Sequence, residues 1–519
     1  MKAALIVVFC AALALLSLRA ARLHIADTYL DPIGKVDAQD EAMYASNAFH
    51  MASHGGWLTP VYQGRYGLYK PPLLAWLAGA SARLFGRSAF AVRLPVILLA
   101  ALTACLLLLW SRTLVAGLAA AFLLLADRIW FTLSSLCLTD ALLTAFAVAA
   151  ATALCADPHL KWRPARWTFA VATAAAILAK SVAGVVPFLI LLVFCALARK
   201  GERPSWQRIL WIVFVVAAIV LPWGLYQLAV HQRWFWHEFV LSEMFTYGVS
   251  SPIQTTHENQ VLFYLKRLFL MDPVLSLLAL AALPALWRAW RRRETEAMVL
   301  AAWLVVVLAA AFFWSYRNVT YLAPAIPALA ILAARAIPGR VLLGIAAASL
   351  LVKLALPAQP WGLDLHPAVL HPSVTLLDRY TDLRRNRELI LVDPFEGFYS
   401  STLPLRQVRY CFVSPSGVPP QGPLDLHYLG IVVTGEEFAR LPELQPAFRA
   451  RLREWALDSS DPIATAIVPR SREEAIHLIA ANPWADFLLP ESYRATISAH
   501  TAGAAAGGFF LALADPATP

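Results

Sequence analysis

The stretch LLAWLAGASARLF, residues 73 to 85, decides how the rest of the chain is threaded. It is apolar but short, and it follows Pro71 and Pro72, whereas a spanning helix needs roughly 20 apolar residues to cross about 30 Å of hydrocarbon. Read as an interfacial or re-entrant helix, it leaves eleven candidate spans, with an upper count of thirteen. These are residues 3 to 20, 92 to 110, 113 to 127, 136 to 155, 167 to 180, 182 to 198, 209 to 229, 272 to 287, 297 to 314, 320 to 335 and 340 to 356. With the N-terminus inside, this parity puts Arg112, the KWRPAR stretch from Lys161, RKGERPSWQR from Arg199, RAWRRR from Arg288, and Arg335 with Arg340 on one side. These are the most basic short loops of the chain, as the positive-inside rule asks of cytoplasmic loops. Counting residues 73 to 85 as a span would put all of them outside. A cleaved signal peptide at residues 1 to 20 is the other reading of the first span.

Composition agrees with a chain that lives mostly in lipid: 60% of 519 residues are hydrophobic and 15% charged, at a mean hydropathy of +0.61. The formal charge of +10 is not a nucleic-acid footprint, because it is unevenly divided. Residues 1 to 356 hold 30 Lys and Arg against 15 Asp and Glu, while residues 357 to 519 hold 13 Arg, no Lys and 18 acids. The basic excess belongs to membrane topology. Five of the six cysteines sit in apolar segments, which excludes a disulfide framework or a CxxC metal motif.

After Pro357 the pattern changes to short apolar runs between charged and turn residues. ELILVD (388 to 393), QVRYCFV (407 to 413), YLGIVV (428 to 433) and ATAIV (464 to 468) read as buried strands. PAFRARLREWAL (446 to 457) and SREEAIHLIAAN (471 to 482) read as amphipathic helices, the second capped by Ser471 with Glu474 three residues on. The expectation is a polytopic α-helical membrane domain over 1–356, with residues 21 to 91 as its first extracytoplasmic loop, and an extracytoplasmic α/β domain over 357–519. The latter carries no nucleotide-binding motif.

The chemistry concentrates in the first loop, DAQDEAMYASNAFHMASHGGWLTPVYQGRYGLYKPPLLAW from Asp37. Asp40 and Glu41 open a helical pattern, where carboxylates are favoured by the helix dipole and also serve as ordinary caps. Asp140 lies in an apolar run, either as a cap beside Ser134, Ser135 and Thr139 or as a functional acid. Lys180 and Arg317 are each either phosphate ligands or snorkelling side chains. Trp57, Trp234 and Trp236 suit an interfacial belt or a sugar platform.

This loop resembles that of the aminoarabinose transferase and protein O-mannosyltransferase-like branch of the GT-C glycosyltransferases. The matching positions are Asp40 and Glu41, then Tyr44 and Ala45, then Gly56, Trp57 and Pro60, then Lys70, Pro71, Pro72 and Leu73, with Phe85, Gly86 and Val92 to Pro95 following. A weaker likeness continues through Asp140, Lys180, His257 and the segment holding Arg317, Tyr321 and Pro324, and covers about residues 1 to 356.

The resemblance implies a bacterial inner-membrane enzyme, a hexosyl- or pentosyltransferase, taking sugar from a polyprenyl-phosphate donor on the extracytoplasmic face. The acceptor would be lipid A, a protein hydroxyl or a glycan. It implies Asp40, with Glu41 and Asp140, on the catalytic side, and Lys70, Tyr69, Lys180, His257 and Arg317 as substrate ligands. Displacement at an anomeric carbon needs a base or charge complement for the acceptor and cations for the leaving phosphate. Relatives often carry an acid before the Lys-Pro where this chain has Tyr69, a poor ligand for a hard cation, so metal-independent transfer is expected, with a divalent ion held by Asp40, Glu41 or Asp140 as the other reading. Two other classes fit less well: a transporter or flippase, which should show inverted repeats and broken helices at mid-membrane, and a membrane-anchored binding protein working through residues 360 to 519.

Overall fold

The computed structural model describes residues 1–22, 38–62, 65–66, 70–110, 113–236, 239–241, 245, 259–314 and 317–356. Beyond these it describes 363, 376, 379–380, 389–392, 409–414, 431–434, 463–467, 472–497 and 500–515. These residues form two compact units, one from Met1–Arg22 and Leu68–Pro367, the other from Lys35–Gly67 and Ala368–Pro519.

The first unit is all helical. Its helices are α1 (Lys2–Arg22), α3 (Leu73–Phe85), α4 (Ala89–Leu109), α5 (Leu114–Ala126), α6 (Arg128–Leu133), α7 (Thr139–Ala156), α8 (Arg163–Lys180), α9 (Val186–Leu197) and α10 (Trp206–His231). They continue as α11 (Gln260–Met271), α12 (Pro273–Ala281), α13 (Leu283–Arg291), α14 (Thr295–Phe313), α15 (Ile326–Ala333) and α16 (Gly339–Ala355). Helix α2 (Ala38–His54) belongs to the second unit. Among the described residues, seven stretches are long and apolar enough to span a membrane; one of them, Arg163–Leu197, takes in two of the expected spans, and Leu114–Ala126, Val319–Ala333 and Gly339–Ala355 are shorter helices over three more. Lipid must cover α10, whose Phe214, Leu221 and Leu225 are 70%, 54% and 60% exposed.

One of those seven stretches, Arg163–Leu197, turns back on itself. Arg208, after α9, donates to the carbonyl of His159, before α8, at 3.1 Å. Both ends of the α8–α9 pair therefore lie together. The reversal is sited by Ser181, whose φ of 50° stops α8, and by a 3-10 turn over Ser181–Val185. Gly184 packs there so closely that a Cβ would stand 2.3 Å from the Ala176 and Ile177 backbone. Pro187 then starts α9 at a position where a missing N–H costs nothing.

The same bookkeeping sorts the other helix ends. Arg293 donates to Leu197 O at 2.9 Å, Arg335 pairs with Glu296 at 2.7 Å, and Gly339 packs on Val115 at the start of α5. Thus the basic loops 199–208, 288–296 and 335–340 and the α4–α5 corner gather at one end of the unit. At the other end, Arg19 reaches Thr132 O at 3.3 Å and touches Ser135 Oγ, and Arg93 donates to Ala20 O at 2.8 Å. Lys353, at the end of α16, donates to Ala126 O at 2.9 Å and lies 2.6 Å from Asp272 Oδ2, off the hydrogen-bond axis. Helix α3 stays at this end: Ser81 donates to Ala91 O in the first turn of α4 at 2.5 Å, and Trp76 packs on Trp223 and Phe235.

The second unit holds a seven-stranded sheet of β3 (Leu389–Val392), β4 (Arg409–Ser414), β5 (Ile431–Thr434), β6 (Ile463–Ile467), β7 (Asp486–Pro490), β8 (His500–Ala506) and β9 (Phe509–Ala514), after a β1–β2 ribbon at Val61–Tyr62 and Arg65–Tyr66. The order is β5-β4-β6-β3-β7-β9-β8, with five parallel strands and an antiparallel hairpin at one edge. All four strands read from the sequence are present, and the helix read at 471 to 482 is Arg472–Ala481. Ser471 and the helix read at 446 to 457 lie outside the described residues. The β8–β9 hairpin was not read, because HTAGAAA has little strand propensity. Gly507 and Gly508, at φ of 59° and 77°, supply the two left-handed residues its two-residue turn requires.

Candidate active site

Asp140 enters α7 in its first turn, behind Leu138, which offers no side-chain cap. Thr144 spends its hydroxyl on the Asp140 carbonyl at 2.8 Å, leaving the carboxylate for other partners. Lys180 closes α8, and its Nζ donates to Asp140 Oδ1 at 2.5 Å. The two side chains are 15% and 10% exposed. The ion pair joins two residues that the sequence offers separately, Asp140 as a cap or a functional acid and Lys180 as a phosphate ligand or a snorkelling side chain. The ammonium also lies 5.2 Å from the Tyr321 ring centroid, within cation–π range.

Tyr321 stands on a 3-10 segment, Val319–Ala325, whose placement is over-determined. The buried Trp303 indole donates to Pro324 O at 2.8 Å. The Asn318 side-chain oxygen caps the segment by accepting from Thr320 N at 2.9 Å, and the Asn318 backbone N–H donates to Tyr264 Oη at 3.3 Å. Burial pushes the Tyr264 phenol up to about 12, against the opposing pull of the Asn318 amide and the Arg317 charge. It therefore stays a neutral hydroxyl. Arg317 donates through Nε to Gln260 Oε1 at 2.8 Å, while Gln260 Nε2 donates to Ala311 O at 3.1 Å and Trp314 O at 2.5 Å. Gln260 thus holds Arg317 at the exit of α14.

Of the residues singled out in the sequence, Asp140 and Lys180 meet, and Arg317 precedes the segment that brings Tyr321 to them. Lys70, ahead of α3, is partly exposed. Asp40 and Glu41 lie in the first turn of α2, in the other unit; Glu41 is fully buried and Asp40 partly so. Gly55 and Gly56 end that helix at φ of 84° and 69°, which accounts for Gly56 of the first-loop motif. Tyr69 and His257 lie outside the described residues. Gln260, Tyr264 and the buried Asp272–Lys353 pair were not found by sequence reasoning. A lysine inside the apolar run LLVKLAL was the available signal for the last.

The family model for dolichyl-phosphate-mannose-protein mannosyltransferase matches residues 12–239. Curated relatives include the undecaprenyl phosphate-alpha-4-amino-4-deoxy-L-arabinose arabinosyl transferase of Pseudomonas aeruginosa, 29% identical over 335 residues, 59% of this chain and 56% of the relative. Enzyme 1 of that name from Sodalis glossinidius is 30% identical over 319 residues, with the same coverage of 59% and 56%. The chain thus matches little more than half the length of these relatives. Among solved structures, ArnT from Cupriavidus metallidurans bound to undecaprenyl phosphate superposes with a TM-score of 0.59 at 20% identity, covering 99% of this chain and 98% of that one. The two share a fold.

Proposed function

We propose that this multi-pass chain is a GT-C glycosyltransferase of the aminoarabinose transferase and protein O-mannosyltransferase-like kind, and that it transfers a sugar from a polyprenyl-phosphate donor. The observation that carries the proposal is the Lys180–Asp140 pair with Tyr321, held where α7, α8 and the 3-10 segment converge. These groups lie at the opposite end of the helical unit from the basic loops. By the positive-inside rule that end is extracytoplasmic, where a lipid-linked donor would be consumed. A transporter fits less well, because these charges sit at helix termini rather than at broken helices in mid-membrane.

In this reading Lys180, Lys70 and Arg317 receive the donor phosphate, which leaves as an anion and needs cationic complement. Asp140 keeps the Lys180 ammonium oriented. Asp40 takes the acceptor side, as general base if the acceptor is a hydroxyl and as an orienting group if it is already a phosphate. The relatives' donor makes undecaprenyl phosphate carrying a 4-amino-4-deoxy-pentose the first to test, with lipid A, protein and glycan acceptors compared.

The test is release of undecaprenyl phosphate by the purified, reconstituted chain. Asp40→Asn is expected to lower turnover by about 10² to 10⁴ with donor binding kept, whereas Lys70→Ala should weaken donor binding itself. Activity should persist after chelation and dialysis. Near-normal turnover in folded, inserted Asp40→Asn removes that residue from the mechanism, and rescue only by a divalent ion overturns the metal-free reading.

A further inference from the structure

At the basic-loop end of the helical unit, a cavity of about 310 Å³ opens between the α4–α5 corner, α13, the start of α14 and the end of α15. Its apolar wall includes Trp110, Ala116, Ala289 and Ile331. Helix α14 separates it from the candidate active site: Glu296 in the cavity and Phe313 near Gln260 are 17 residues apart, roughly 25 Å along a helix axis. The cavity is a different place from the site described above.

Its charged lining is three arginines and two glutamates, with Thr113 beside them. Arg335 is committed to Glu296 at 2.7 Å. Arg288 and Arg292 are exposed, and among the described residues neither pairs with a carboxylate. Arg292 ends α13 with its backbone N–H still donating to the Arg288 carbonyl at 3.1 Å, so these two guanidiniums, four residues apart, share one face and repel. An anion between them would relieve that repulsion. Trp287 and Trp290 flank them as an edge-on pair 5.1 Å apart, with Trp287 54% exposed, the placement of an interfacial aromatic belt. A basic pocket between helix ends at headgroup depth suits a phospholipid headgroup.

We propose that this cavity seats the phosphate of an anionic phospholipid from the leaflet at the basic-loop end, with Arg288 and Arg292 as its ligands and the apolar wall against the glycerol and first acyl carbons. A bound headgroup would tie α13 to the α4–α5 corner and to Arg335, making the packing of that end depend on lipid composition. Glu294, which also lines the cavity, opposes the anion.

The test measures retention of phosphatidylglycerol on the full detergent-solubilised chain, by native mass spectrometry and by the rise in melting temperature on lipid addition. Phosphatidylcholine is the neutral lipid control and glycerol phosphate the soluble one. Wild type should retain phosphatidylglycerol over phosphatidylcholine. Arg288→Gln/Arg292→Gln should weaken retention roughly 30-fold, since two cations near an anionic headgroup are lost, and Glu294→Gln should strengthen it. The lipid-free melting temperature of each variant reports whether it is folded. Unchanged retention in the folded double variant overturns the site. Glycerol phosphate binding as tightly as the lipid overturns the lipid assignment in favour of a free phosphate.

Discussion

Lys180 and Asp140 look alike in one dimension, each a single charge at the edge of an apolar run, and only their meeting gives them a shared role. Removing one partner leaves the other charge largely buried, which costs roughly 3–5 kcal/mol in a fully enclosed pair and less at the residual exposure here. Lys180→Met should therefore lower the melting temperature of the detergent-solubilised chain, and adding Asp140→Asn should restore part of it. Sugar transfer should not return in the double variant, because the ammonium is gone. Restored transfer alongside restored stability would mark the pair as structural only. The sequence named both residues yet left each an innocent alternative, since 40 positions separate them and no local rule links the end of one helix to the start of another. Gln260 was invisible for the same reason: an amide in a loop sequence acquires meaning only by its bonds to Arg317, Ala311 and Trp314.

Elements obeyed the sequence more closely. The helix read over LLAWLAGASARLF has those same limits, Leu73–Phe85, and Ser81 ties it to the first turn of α4 while Trp76 packs on Trp223 and Phe235. The close α8–α9 turn depends on Gly184, where any side chain would meet the α8 backbone. Gly184→Ala should force that backbone apart at a cost of about 1–3 kcal/mol. Because the turn follows Lys180 directly, donor affinity should fall with stability. A melt and a donor titration on the variant check both, and a wild-type melting temperature would show that the turn is not tightly constrained. The sequence divides this stretch into two spans, 167 to 180 and 182 to 198, with basic loops at both outer ends, and the Arg208–His159 contact joins those ends.

At the scale of the whole molecule, the two units respond to different variables. In the second, His500 donates through Nε2 to Ala485 O at 3.0 Å, while Nδ1 is buried without a hydrogen-bond partner among the described residues. Burial lowers its pKa from 6.5, outweighing the Ala485 bond and the Asp486 charge that favour the cation. The unfolded chain thus takes up this proton first as pH falls, so the contribution to stability is full above about 6.5 and lost below it. Thermal melts at about pH 8 and about pH 5.5 should show that loss in the wild type and a smaller one in His500→Gln; equal slopes would exclude His500 as the cause. For the first unit the variable is orientation. Reporter fusions at Arg292 and at Asp461 are expected to report opposite compartments, the first cytoplasmic, and a common compartment would overturn the proposed polarity. What the sequence by itself determined was membrane residence, the apolar helices, the clustering of basic residues in short loops and the strands of the C-terminal region, because hydrophobic period and charge asymmetry are local quantities summed along the chain. Only the tertiary structure decided which charges pair and that two arginines face an open cavity, because each depends on side chains brought together from helix ends far apart in sequence.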